Sequence, residues 1–110
     1  MNKYKNWEVG GEIVKQDERY TVKDNVLLNN LIVSTTNLFV KKSTSGHKHE
    51  GQEEVYIFTE GHGTMELDDK TIDVQEGDVV LIEDGVFHRV HAGHVGCKFI
   101  CVFDGRRNHK

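Results

Sequence analysis

Between Gly46 and Gly61 the chain reads Gly-His-Lys-His-Glu-Gly-Gln-Glu-Glu-Val-Tyr-Ile-Phe-Thr-Glu-Gly, and these are the residue types that can do chemistry. Along an extended strand, residues two apart project from the same side. His47 and His49 can therefore face one point together, with Lys48 turned away. Glu50 to Glu53 supply a turn, and Glu54 opens an apolar run that can bring its carboxylate back beside the two imidazoles. Two nitrogens and one oxygen converging in this way suit a divalent transition metal. A His-x-His pair alone is more often two surface histidines on a polar loop, so the surrounding elements have to decide.

Those elements read as short strands. Glu54 to Thr59 alternates Glu54, Tyr56 and Phe58 against Val55, Ile57 and Thr59, a β-branched and aromatic strand pattern. Before the histidines, Glu12 to Val14 and Tyr20 to Val22 read as strands joined by the loop Lys15 to Arg19, with a turn at Lys23-Asp24-Asn25. Val26 to Ser34 reads as a strand with Val26, Leu28, Asn30 and Ile32 on one face, and Thr35 to Lys42 as the next. After Thr59, Glu60 to Gly63 is a turn or bulge, and Thr64 to Leu67 and Thr71 to Val74 flank a hairpin signal at Asp68-Asp69-Lys70. Val79 to Ile82 is wholly apolar and is expected to be covered on both faces. Phe87 to Ala92 is a strand, Ala92 to Gly96 a loop, and Cys97 to Phe103 the last strand. No segment of helical length carries a 3.6-residue period. Strands of this length with turn signals every eight to twelve residues predict an all-β sandwich or barrel.

At 110 residues the chain is expected to form one domain, with a polar leader over residues 1–8 and a polar tail over 104–110. A net charge of -4 argues against nucleic acid as the main partner. No apolar run reaches membrane-spanning length, and the first residues lack the apolar core of a signal peptide, so a cytoplasmic setting with Cys97 and Cys101 as reduced thiols is expected. All seven histidines lie at or after position 47, which places the expected chemistry in the second half.

Two stretches resemble the motifs of the cupins, small double-stranded β-helix (jelly-roll) proteins. The first cupin motif, Gly-x5-His-x-His-x3–4-Glu-x6-Gly, is met by His47, His49, Glu54 and Gly61. The second, Gly-x5-Pro-x-Gly-x2-His-x3-Asn, is met by Gly77, Gly85 and His88. Lys41 stands for the leading glycine, Glu83 for the proline and Ala92 for the asparagine, all turn or supporting positions. The resemblance covers about Ser43 to Ala92 with specific residues. It implies a jelly-roll barrel in which His47, His49, Glu54 and His88 hold one divalent metal of the Mn, Fe, Co, Ni or Zn group, with positions left for water or substrate. Glu53 is the alternative carboxylate, but only Glu54 leaves six residues before Gly61. A closed structural zinc site would favour cysteine, and the cysteines sit elsewhere.

Sharing the face of Glu54, Tyr56 and Phe58 should line the barrel interior, and Val90 and Ala92, sharing the face of His88, should narrow the pocket. Arg89, His91 and Phe87 should face outward. Tyr56 and His62 are the two candidates for a catalytic base, against core packing for Tyr56 and a solvated ring for His62; Arg106 and Arg107 are candidate phosphate contacts against a solvated tail. The resemblance implies a small-molecule ligand, a homodimer paired through the apolar Val26 to Val40 region, and one of three functions. These are a metal-dependent isomerase or epimerase acting on a sugar or sugar phosphate, an Fe(II)-dependent dioxygenase, and a non-catalytic metal or ligand-binding module.

Overall fold

The computed structural model of the protein describes residues 3–48 and 50–105. Seven strands follow one another: β1 Glu12–Gln16, β2 Tyr20–Asn25, β3 Leu31–Leu38, β4 Glu54–Leu67, β5 Lys70–Gln75, β6 Val79–Ile82 and β7 His88–Asp104. All pairings are antiparallel, in the order β1-β2-β3-β7-β4-β5, with β6 beside the first half of β4. The fold is an all-β barrel, as the strand pattern predicts, and of the jelly-roll kind that the resemblance implies.

The long strands β4 and β7 form its spine. Glu54 to Gly61 pair with Phe103 to Cys97, and Gly63 to Leu67 pair with Ala92 to His88. Register shifts at Phe58/Glu60 and Gly61/Gly63 bend the ribbon between these halves. Gly61 has φ 79° there, and a β-carbon on it would lie 2.2 Å from the Gly96 carbonyl oxygen, so the bend needs glycine. One half of the ribbon carries β3, β2 and β1. The other carries β5 and the segment around Ser43 and His47. Phe58, Phe99, Leu38, Met65, Val74 and Val90 bring both halves into one core.

Five expectations fail. Lys23-Asp24-Asn25 is not a turn, because Asp24 and Asn25 stay in register with Ser34 and Val33. The connection comes later: the Leu27 amide donates to the Asn25 side chain, and Val26, Leu27 and Leu28 form an exposed apolar loop instead of a strand. The two strands expected over Val26 to Lys42 are thus one, Leu31–Leu38, ending before a turn in which Lys41 adopts φ 59°. Ala92 to Gly96 stays within β7 because the ribbon bends there without breaking. In addition, β6 is covered on one face only, since among the described residues nothing packs outside it: Val79 is 58% and Leu81 73% exposed. The loop after β1 also starts later than expected, at Asp17, whose carboxylate accepts from the Arg19 amide at 2.7 Å. In the leader, Trp7 is largely exposed.

Candidate metal and ligand site

Glu54 and His88 open the two spine strands and both point inward, with 5% and 3% of their surface exposed. The bend of the ribbon brings His88 Nε2 to 3.5 Å from Glu54 Oε1. His88 Nδ1 stands 3.1 Å from the Val86 carbonyl oxygen. A carbonyl only accepts, so Nδ1 is the donor and a neutral ring keeps its lone pair on Nε2, facing the carboxylate. This is how a metal-binding histidine is held by its second nitrogen. Two donors each about 2.1 Å from one ion stand roughly 3.0–3.4 Å apart, so the pair fits the expected metal in type and, at 3.5 Å, stands slightly wider than that spacing.

His47 joins them through the backbone. Its amide donates to the His88 carbonyl at 3.0 Å and its carbonyl accepts from the His88 amide at 2.8 Å. The two rings lie 6.0 Å apart, and His47 sits exposed at the cavity rim. His49 lies outside the described residues, as do Arg106 and Arg107. Among the described residues no three histidine, cysteine or acidic side chains close into an ion cage. Glu54 and not Glu53 is the inward carboxylate, since Glu53 is exposed.

The segment carrying His47 is stitched down on both sides. Thr44 accepts at its carbonyl from Arg89 Nε (2.8 Å) and at its hydroxyl from the Val90 amide (3.0 Å). Ser43 Oγ contacts His91 Nδ1 at 2.6 Å, and His91 Nε2 meets Glu66. Arg89 and His91 thus do face away from the cavity, and both are part-buried fasteners. The Phe87 ring packs on Gly46, where a β-carbon would lie 2.2 Å from it. Ahead of Glu54, Gln52 is buried and donates to the Asp104 carbonyl at 2.6 Å.

Around these groups lies a cavity of about 310 Å³, lined among others by His47, Glu54, Tyr56, His88, Ser34 and Lys15. Tyr56 is 7% exposed, stacks on Phe99 at 5.2 Å and meets His88 edge-on at 5.6 Å, fixing the imidazole plane. Phe58 is buried beneath it. Val90 and Ala92 pack into the core and do not border the cavity. His62 does not border it either. It is exposed, in a separate depression with Asp73 and Asp78, because it sits in the bend itself, between Gly61 and Gly63. Of the two readings of His62, the structure thus places the ring away from the cavity that Glu54 and His88 border.

Sequence reading missed the wall contributed by β1, β2 and β3. Tyr20, 3% exposed, takes a hydrogen bond on its hydroxyl from Arg19 Nη2 at 3.0 Å. The Arg19 guanidinium lies 4.6 Å and Lys15 Nζ 5.5 Å from the centre of its ring. Arg19 also holds the Asp17 carboxyl well below the usual range, at about 2, chiefly through their side-chain hydrogen bonds. The signal was available in β3: Ile32, Ser34, Thr36 and Leu38 alternate onto the inner face, two hydroxyls between two apolar residues.

The family described as "Cupin domain" matches residues 38–103. An uncharacterized protein of Methanocaldococcus jannaschii, MJ1618, is 36% identical over 63 residues, which is 56% of this chain and 50% of that protein; the chain thus spans half of that relative's length. Among solved structures, KdgF of Halomonas sp. superposes with a TM-score of 0.77 at 16% identity, over 89% of this chain and 91% of that one. TT1209 of Thermus thermophilus gives 0.80 at 15%, over 94% and 97%. A predicted oxalate decarboxylase of Thermotoga maritima gives 0.71 at 23%, over 91% and 96%. These likenesses establish the shared barrel, and with a family match running through both motifs and most of the spine, the chain belongs to the cupin domain family.

Proposed function

We propose that this cupin binds one divalent transition metal through His47, His49, Glu54 and His88 and acts on a small oxygenated molecule in the adjoining cavity. The observation that carries the reading is the facing pair at the end of the ribbon. The Val86 carbonyl takes the Nδ1 proton, so that in the neutral ring the Nε2 lone pair faces a buried carboxylate oxygen 3.5 Å away. Two electron-rich atoms so placed are stabilised by a cation between them. When bound, the metal supplies a Lewis acid that polarises a carbonyl or hydroxyl oxygen. The chain's part is to hold the donors, to keep the imidazole plane fixed with Tyr56, and to limit water with Phe99 and Phe103.

Within that reading an isomerase or epimerase acting on a sugar or sugar phosphate is favoured, with Tyr56, the candidate base that borders the cavity, presenting its hydroxyl to the ligand. The likeness to a predicted oxalate decarboxylase agrees with a small oxygenated ligand. Metal analysis of the purified protein, followed by anaerobic phosphosugar turnover with Mn or Zn and by oxygen uptake with Fe(II), tests it. Turnover without oxygen supports the isomerase, and oxygen consumption confined to Fe(II) replaces it with the dioxygenase. Tight ligand binding without turnover replaces both with a binding module, and a protein that holds no metal ends the proposal.

We also infer a homodimer. On the outer face of the spine sheet, Leu81, Val55, Val102 and Val33 align in one row and Val79, Ile57 and Ile100 in the next. With Val79 and Leu81 more than half exposed, this is a contiguous apolar surface of the kind that a second copy covers.

A further inference from the structure

The cavity has a second polar side, away from the metal donors. Ser34 and Thr36 are 6% and 7% exposed and border the cavity. Among the described residues neither hydroxyl has a hydrogen-bond partner in the protein. A buried hydroxyl without a partner is costly, and one that persists marks a place where something else is to be bound. Two residues apart on β3, they present their oxygens on one face, roughly 6.5–7 Å apart.

Their neighbours carry charge. Register places Asp24 of β2 directly beside Ser34, and Asp24 borders the same cavity. On β1 the pairing shifts between Ile13 and Lys15, so that the consecutive residues Val14 and Lys15 both reach the cavity; a bulge has re-aimed the lysine. Neither Lys15 nor Asp24 has an ion-pair partner among the described residues. One cationic donor, one anionic acceptor and two hydroxyls that both donate and accept make a surface for alcohol groups. A purely anionic ligand would meet Asp24 unfavourably, and a hydrocarbon would strand all four groups. Across the inner face, Ser34, Cys101 and Tyr56 stand in one register row, so this wall lies two strands, about 10 Å, from the strand of Glu54.

We infer that Lys15, Asp24, Ser34 and Thr36 form the recognition wall for a polyhydroxylated ligand of sugar or sugar-acid size, which the metal donors engage at its other end. The second half of that statement rests on the proposed metal site; the first does not. The cavity volume, at the small end of ligand pockets, agrees with a single small molecule and not a polymer.

The test uses D-gluconate and hexanoate, which share six carbons and one carboxylate and differ in five hydroxyls. Binding is measured by calorimetry to the full-length protein, as purified and after metal loading. The expected result is at least a tenfold preference for gluconate. Ser34→Ala and Thr36→Val should each cut gluconate affinity three- to tenfold and leave hexanoate within twofold. Metal content should be unchanged, because neither residue is a donor. Both variants remove a buried hydroxyl that has no partner, so their ligand-free melting temperatures should hold or rise, whereas a purely structural role predicts a fall. Equal binding of the two probes, or a gluconate preference that survives both substitutions, overturns the inference. A protein that takes up no metal but keeps the preference overturns the metal proposal alone.

Discussion

Arg19 Nη1 donates to Ser45 Oγ at 3.0 Å, and Ser45 lies two residues before His47. The β1–β2 turn therefore reaches across to steady the loop that presents His47, one of the proposed metal donors. Arg19 is itself held by Asp17 and lies over the Tyr20 ring, so three neighbours set its position. Replacing it with alanine should weaken metal binding about tenfold, the scale seen when a group supporting a ligand is lost. Competitive metal titration measures this. An unchanged affinity would show that the loop keeps its place unaided.

Removing a donor should do more. His88→Ala and Glu54→Ala are each expected to lower metal affinity at least 100-fold. Glu53→Ala should leave it within twofold, since Glu53 points to solvent. Metal content after equilibrium dialysis decides between the two carboxylates.

Chelation should destabilise the fold. A site held at one hundred times its dissociation constant contributes about 2.7 kcal/mol. For a chain of this size that corresponds to roughly 10 °C in melting temperature. Calorimetry with and without a chelator reads it, and an unchanged melting point would count against a bound ion.

The Asp17–Arg19 pair predicts a particular acid response. The Asp17 carboxyl is lowered from 3.8 to about 2, so the unfolded chain binds its proton first as pH falls. The stabilisation is complete above pH 3.8 and is lost as pH falls through about 2. Asp17→Asn should flatten this part of the stability–pH curve in acid unfolding experiments.

At the alkaline end, burial pushes the Cys97 thiol up from 9.0 to about 11. Between those values the unfolded chain has lost the proton that the folded one keeps, so stability declines as pH rises through this range. In the native protein at pH 8, Cys97 should resist iodoacetamide until denaturant is added. Mass spectrometry of the labelled peptide reports the outcome.

Much of the candidate site was legible because its signal is local spacing. Two histidines two apart, a carboxylate at the head of a β-branched strand, and a histidine three residues after Gly85 are features a linear reading can count. Of the inner wall only the β3 alternation was legible, because Lys15 and Asp24 join Ser34 and Thr36 only through strand register and a bulge. The misplaced turn has a related cause. Val26-Leu27-Leu28 is as apolar as a strand, but the Asn25 side chain captures the Leu27 amide and turns the chain. For β6, the apolar run predicted cover on both faces, but an apolar composition does not say what packs there, and Val79 and Leu81 are exposed.

The β4–β7 ribbon carries a mechanical consequence. Glu54 pairs with Phe103 at one extremity and His88 pairs with Leu67 at the other, yet their side chains meet. An ion gripped by both would act as a clasp on a two-stranded ribbon doubled back on itself. The strain of opening would then fall on the glycine-rich bend at Gly61 and Gly63, far along the chain from any donor. Loading the clasp should slow amide exchange at that distant bend.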